Sequence, residues 1–218
     1  MPTPLRGVYL ITPDVTDTQR LLDLTTDALA AGVALLQYRN KRADTALRRE
    51  QAQLLAALCQ HHRVPFLVND DVALAAELGV GVHLGGEDED LGVARSALGR
   101  AALIGASCYA SLGRAHQACA AGADYLAFGT FAASPTKPLA ARADLGLLGQ
   151  ARGLGRPLVA IGGITPTLAP TLVAAGADLL AVISSVYESA SPAAAVRALR
   201  QAFPEFQGDS DAEQPRAV

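Results

Sequence analysis

Short, unbroken runs of apolar residues recur along the chain. Each is followed by a longer segment in which apolar residues return every three or four positions. Eight runs stand out: GVYLIT from Gly7, VALLQY from Val33, PFLVND from Pro65, GVHLG from Gly81, ALIGAS from Ala102, DYLAFGT from Asp124, PLVAIGG from Pro157 and DLLAVIS from Asp178. Continuous rather than alternating apolar residues read as strands buried on both faces, the condition of a parallel sheet covered by helices. Between them, segments such as LLDLTTDALAAG and LRREQAQLLAALCQHH carry apolar residues at helical spacing and polar residues elsewhere.

Four helical segments hand over to a strand through glycine: Ala31-Gly32-Val33, Leu78-Gly79-Val80, Ala121-Gly122-Ala123-Asp124 and Ala175-Gly176-Ala177-Asp178. Glycine accepts the left-handed conformation that ends a helix at little cost. The last two lie in near copies, AAGADYLAF and AAGADLLAV, a weak internal repeat of one αβ unit. Eight βα units in just over 200 residues predict an α/β fold, a compact (β/α)8 TIM barrel over residues 1–203. A doubly wound open sheet is the main rival, but it would need fewer strands, and no GxGxxG follows the first run. The polar, aperiodic tail PEFQGDSDAEQPRAV, residues 204–218, reads as disordered.

Composition narrows the partners. Half of the 218 residues are hydrophobic, mostly Ala, Leu and Val, which suits helices packed on strands. A net charge of −3 gives no global electrostatic case for nucleic acid or an anionic membrane. Cys59, Cys108 and Cys119 lack metal-ligand spacing, and their odd number favours a reducing compartment. No signal peptide is visible, and no apolar stretch reaches the roughly 20 residues needed to span a bilayer. The expectation is a soluble cytoplasmic protein that acts on small molecules, as a monomer or small homo-oligomer.

Polar residues gather where the strands end, and in a barrel of this kind those carboxyl ends form the active face. The second run closes on Gln37, Arg39 and Lys41, the third on Asn69, Asp70 and Asp71, and the fourth leads to Glu87 and Asp88. The fifth reaches Ser107, the sixth leads to Ser134, Thr136 and Lys137, the seventh ends in Gly162-Gly163 and the eighth in Ser184-Ser185. Arg39, Lys41 and Lys137 are cations suited to phosphate oxygens. Asp70 and Asp88, from adjacent strands, would repel a polyphosphate unless a cation lay between, and Mg2+ characteristically takes one or two carboxylates plus substrate phosphates. Asp71 reads instead as the N-cap of the helix DVALAAEL. The GGI turn and the serines after the eighth run suit a second, monophosphate group. His83 reads as a hydrogen-bonded core residue, His61 and His62 as favouring a helix C-terminus, His116 as part of a helix, and the cysteines as small packing residues. No Ser-His-Asp, Cys-His or zinc signature is present.

Taken in order, QYRNK, FLVNDD, VHLGGED, IGAS, SPTK and IGGI resemble the thiamine phosphate synthase family from Tyr9 to about Tyr187. The family's QxRxK matches Gln37, Arg39 and Lys41; its ND matches Asn69 and Asp70; its second metal acid matches Asp88; its GxS serine matches Ser107. The family's TxTK stands here as Ser134-Pro135-Thr136-Lys137, and Gly86 occupies a place where Gln is common. The resemblance implies a transferase that joins 4-amino-5-hydroxymethyl-2-methylpyrimidine diphosphate to a carboxylated or decarboxylated hydroxyethylthiazole phosphate. It implies Arg39, Lys41 and Lys137 as catalytic, Gln37, Arg39, Lys41, Asn69, Ser107 and Lys137 as binding the pyrimidine diphosphate, Ser134, Thr136, Gly163, Ile183 and Ser184 as binding the thiazole phosphate, and Asp70 and Asp88 as Mg2+ ligands. Two alternatives stay open: a thiazole tautomerase of the same barrel family, which relies on a pocket histidine not seen in GTFAASPTK, and a non-catalytic phosphate-ligand-binding barrel.

Overall fold

The computed structural model describes residues 5–86, 90–132 and 142–207. Eight parallel strands close into a barrel in sequence order: β1 Gly7–Ile11, β2 Val33–Tyr38, β3 Phe66–Asn69, β4 Gly81–Leu84, β5 Ile104–Tyr109, β6 Tyr125–Gly129, β7 Leu158–Ile161 and β8 Leu179–Val182. Every strand falls inside or overlaps one of the eight apolar runs, and the closed order excludes the open sheet. Around them lie α1 Thr18–Ala30, α2 Thr45–His62, α3 Val72–Leu78, α4 Leu91–Leu98, α5 Leu112–Ala120, α6 Gly146–Ala151, α7 Ala169–Ala175, α8 Ser184–Tyr187 and α9 Pro192–Arg200. No helix among the described residues is long and apolar enough to cross a membrane.

The helices begin where the sequence supplies short oxygen-bearing side chains. Asp17, Asp44, Asp71, Asp90 and Ser111 accept hydrogen bonds from backbone N–H groups in the first turns of α1 to α5, satisfying donors that have no partner inside the helix. The four handover glycines, Gly32, Gly79, Gly122 and Gly176, all have positive φ. His61 and His62 fall in the last turn of α2. The repeated AAGAD has a definite job. Asp124 N–H donates to Ile104 O (2.8 Å) while its carboxylate accepts from Ile104 N–H (2.7 Å). Asp178 repeats the clamp on Leu158, at 2.8 and 2.9 Å. Each aspartate thus pins the start of its own strand to the start of the one before. Arg95 neutralises Asp124 at 2.6 Å, and Arg6 bridges Asp178 and Glu205.

Two apolar layers result. The larger lies between barrel and helices and includes Leu10, Leu36, Val68, Val82, Phe128 and Leu180. The smaller fills the barrel and includes Tyr9, Ile11, Leu35, Leu67, Tyr125, Val159 and Leu179. Strand side chains alternate between faces, so the inward set on β1 to β6 also contains Gln37, Asn69, His83 and Ser107. Cys59 and Cys108 are fully buried, and burial pushes both thiols up to about 12, which keeps them protonated. The packed chain runs slightly past the boundary at 203. Pro204–Phe206 form a 3-10 turn, with the Arg200 guanidinium 4.3 Å from the Phe206 ring centroid. Polarity alone hid this stretch, because its one aromatic side chain does the packing.

Candidate active site

The loop after β2 is held by the loop after β1. Arg39 N–H donates to Thr12 Oγ1 (2.8 Å), and the Thr12 hydroxyl donates to Arg39 O (2.9 Å). Asp14 then receives the Arg39 guanidinium at 3.0 and 3.2 Å and the Lys41 backbone N–H at 2.8 Å. Asn40, between the two cations, faces the other way: its Nδ2 donates to Gln51 Oε1 (3.0 Å) and its Oδ1 accepts from Arg42 and Ala43 N–H. A single acid and a buried amide therefore fix the loop that carries both cations, and the acid also orients the Arg39 guanidinium. The Arg39 side chain is only 17% exposed, so little solvent competes for its planar donor fork.

Across the top of the apolar barrel core runs a continuous hydrogen-bond chain. Gln37 Nε2 donates to Asn69 Oδ1 (2.6 Å), and Gln37 Oε1 accepts from the Tyr9 hydroxyl (2.6 Å). The Tyr9 and Tyr125 hydroxyls lie 2.8 Å apart, Tyr125 reaches His83 Nδ1 at 2.8 Å, and His83 Nε2 meets Ser107 Oγ at 2.9 Å. Six consecutive strands contribute one residue each. The two rings meet edge to face, and His83 stacks on Tyr125. Burial pushes the Tyr9 phenol well above its ordinary range, and does the same to Tyr125 with the Tyr9 hydroxyl as a further cause. Both stay neutral hydroxyls. Gly105 makes the arrangement possible, since a Cβ there would stand 1.9 Å from Tyr125 Cζ.

The adjacent acids of FLVNDD part company. The Asp71 carboxylate accepts from Leu74 N–H at 2.9 Å and caps α3, as expected. Asp70 sits at φ 64, a left-handed conformation rare outside glycine, with its N–H donating to His83 O at 2.9 Å. Asp71 is thus committed to the helix cap, whereas Asp70 lies in the turn before it. Beyond β4, Gly86 has the Arg114 guanidinium against it: a Cβ there would lie 1.9 Å from Arg114 Nη1 and 3.2 Å from the Tyr109 ring, so a larger residue would displace that side chain. Arg114 stacks over Tyr109, 5.2 Å from the ring centroid, and fills the space a larger residue at 86 would take. On the far side, Gly162 and Gly163 both have positive φ, and a Cβ on Gly162 would strike Thr130 Cγ2 at 2.1 Å. Ile183 precedes α8, whose first residue is Ser184.

Among the expected site residues, Gln37, Asn69 and Ser107 join the inner chain, Arg39 and Lys41 share Asp14, and Gly163, Ile183 and Ser184 lie at the ends of β7 and β8. Asp88, Ser134, Thr136 and Lys137 lie outside the described residues. His83 is the buried, hydrogen-bonded residue its sequence context suggested. Sequence reasoning missed Asp14, Thr12, Tyr9 and Tyr125. The tyrosines look like ordinary apolar strand residues, and only their shared inward parity with Gln37 and Ser107 could have marked them.

Fold and site together define a (β/α)8-barrel enzyme with a cation-bearing polar rim over a hydrogen-bonded floor. The family model described as thiamine monophosphate synthase matches residues 8–186, and the chain belongs to that family. A thiamine-phosphate synthase from Xanthomonas campestris pv. campestris (strain 8004) is 54% identical over 199 residues, 91% of this chain and 96% of the relative. One from Xylella fastidiosa (strain 9a5c) is 52% identical over 199 residues, 91% of this chain and 85% of the relative. A solved thiamine phosphate pyrophosphorylase from Pyrococcus furiosus superposes with a TM-score of 0.81 at 31% identity, covering 92% of this chain and 96% of that one.

Proposed function

We propose that this chain joins 4-amino-5-hydroxymethyl-2-methylpyrimidine diphosphate to a hydroxyethylthiazole phosphate, giving thiamine phosphate and diphosphate, with loss of carbon dioxide where the thiazole carries a carboxylate. The observation that carries the reading is the seating of Gln37, Asn69 and Ser107 on one inward layer, beside the loop that holds Arg39 and Lys41. A planar heterocycle with several hydrogen-bonding atoms fits the first group, and its diphosphate fits the second.

The bond from the pyrimidine methylene to the diphosphate oxygen breaks first, and the electron pair leaves with the diphosphate. Arg39, Lys41 and Lys137 stabilise the growing negative charge. Electron release from the 4-amino group spreads the positive charge left on the methylene. The apolar barrel below and a closely packed second substrate exclude water, which would otherwise capture the cation. The thiazole nitrogen then attacks, with its phosphate held by Ser134, Thr136, Gly163, Ile183 and Ser184. Asp70 and Asp88 offer the hard oxygen donors that suit Mg2+, which when bound supplies further charge neutralisation for the diphosphate. The enzyme acts in the cytoplasm as a monomer or small homo-oligomer.

Purified protein mixed with both substrates should yield thiamine phosphate with Mg2+ and lose that activity on chelation. Asp70→Asn should lower turnover by at least about tenfold and raise the Mg2+ concentration needed. Well-folded protein that forms no product would overturn the reading, and thiazole isomerisation would be the next assay.

A further inference from the structure

The inner chain has a direction. A phenol has one proton to donate, a neutral imidazole has one N–H, and a carboxamide has distinct donor and acceptor ends. With Gln37 Nε2 on Asn69 Oδ1, Gln37 Oε1 must receive the Tyr9 proton. Tyr9 oxygen is then the acceptor in the 2.8 Å contact, so the Tyr125 hydroxyl donates to it. Tyr125 oxygen can in turn accept only if His83 carries its proton on Nδ1, which leaves Nε2 to accept from the Ser107 hydroxyl. Every proton points the same way round. Turning the Gln37 and Asn69 amides over would reverse all of them, so with His83 neutral the chain has two coherent polarities and no mixed one that keeps all its bonds.

We propose that Tyr9, Tyr125 and His83 are positioning residues that lock this polarity and thereby set which hydrogen-bonding form of a pyrimidine the site accepts. In this polarity, Ser107 spends its proton on His83 and faces a ligand as an acceptor. Asn69 spends its Oδ1 on Gln37 and offers its Nδ2 as a donor. An aminopyrimidine donates from its amino group and accepts at its ring nitrogens, which complements that pair. With the exocyclic group held at Ser107 and the ring nitrogen at Asn69, the deaminated 4-oxo ring presents the opposite pattern, a carbonyl acceptor beside a ring N–H donor, and complements the reversed chain instead. Buried polar groups left facing like groups are what make such rejection strong. This inference rests on the pyrimidine reading of the site for its ligand, but the proton order itself belongs to the ligand-free protein.

The two parts are tested separately. Nitrogen-15 spectra of the imidazoles, in a chain with only four histidines, should show His83 as the neutral Nδ1–H tautomer, assigned by its loss in His83→Asn. An Nε2–H tautomer, or a ring protonated on both nitrogens, would overturn the polarity whatever the enzyme's substrate. Tyr125→Phe breaks the chain at its centre, and Tyr9→Phe breaks it one bond away should the first variant fail to fold. Either should erase the His83 tautomer preference and cut the kcat/KM preference for the 4-amino over the 4-oxo pyrimidine diphosphate by at least about tenfold. A variant with lowered Tm but undiminished preference would show that the tyrosines only fill the barrel. Failure of the wild-type protein to couple either pyrimidine would refute the proposed reaction and with it the selection of a pyrimidine form, while the spectra would still decide the proton order.

Discussion

Tyr125 shows how one side chain ties packing to recognition. It lies fully buried between Tyr9 and His83, with its ring in space that exists because residue 105 has no side chain. Gly105→Ala should therefore push the ring out of register and cost about 1–3 kcal/mol, the usual penalty for overpacking a closed core, as read from urea unfolding. Asp14 plays the corresponding part at the rim, because it meets both the Arg39 fork and the Lys41 backbone. Asp14→Ala should leave the fold intact and raise KM for the pyrimidine diphosphate by about tenfold, the value of one well-placed charged contact. An unchanged KM would mean that Arg39 finds its position without the acid. Neither role is visible at its own position in the sequence: Asp14 sits in a loop after Pro13, and Tyr125 sits in a strand.

At the scale of the element, the aspartates divide between building helices and, in the proposed reaction, holding Mg2+. Asp71 caps α3 whereas Asp70 turns away through a left-handed residue. Asp71→Ala should lose about 1 kcal/mol of stability with little change in the Mg2+ requirement, the reverse of the outcome expected for Asp70→Asn. Parallel denaturation and activity measurements on the two variants separate the roles. The clamps at Asp124 and Asp178 are a third use of the same residue type. Asp124→Ala releases the Ile104 N–H and leaves Arg95 without its acid, so a loss of about 1–3 kcal/mol is expected. The repeat AAGAD was legible as a pattern, but its purpose was not, because the partner of each aspartate is a backbone group some twenty residues earlier.

For the molecule as a whole, the buried phenols predict an alkaline limit. Burial raises Tyr9, Tyr125 and Tyr187 well above the ordinary tyrosine value of 10.0, and pushes Tyr38 up to about 12. Above pH 10 the unfolded chain releases these protons while the folded chain keeps them. Stability is therefore fully present below that pH and falls as pH rises toward the folded values. Denaturation curves taken from neutral pH upward should show this decline, and Tyr125→Phe should make it shallower. A slope unchanged in that variant would mean that Tyr125 does not carry the effect.

The sequence by itself determined the strand and helix order, the glycine handovers, the helix cap at Asp71 and the polar residues at the strand ends. Each of these is a local matter of periodicity, backbone freedom or donor satisfaction. Closure of β8 onto β1 decided the rest, since it brought one residue from each of six strands into a single hydrogen-bond chain. Spacing along the chain cannot report that chain's existence or its direction. Both depend on which side chains share the barrel interior at one height, and on every buried donor finding the one acceptor that remains.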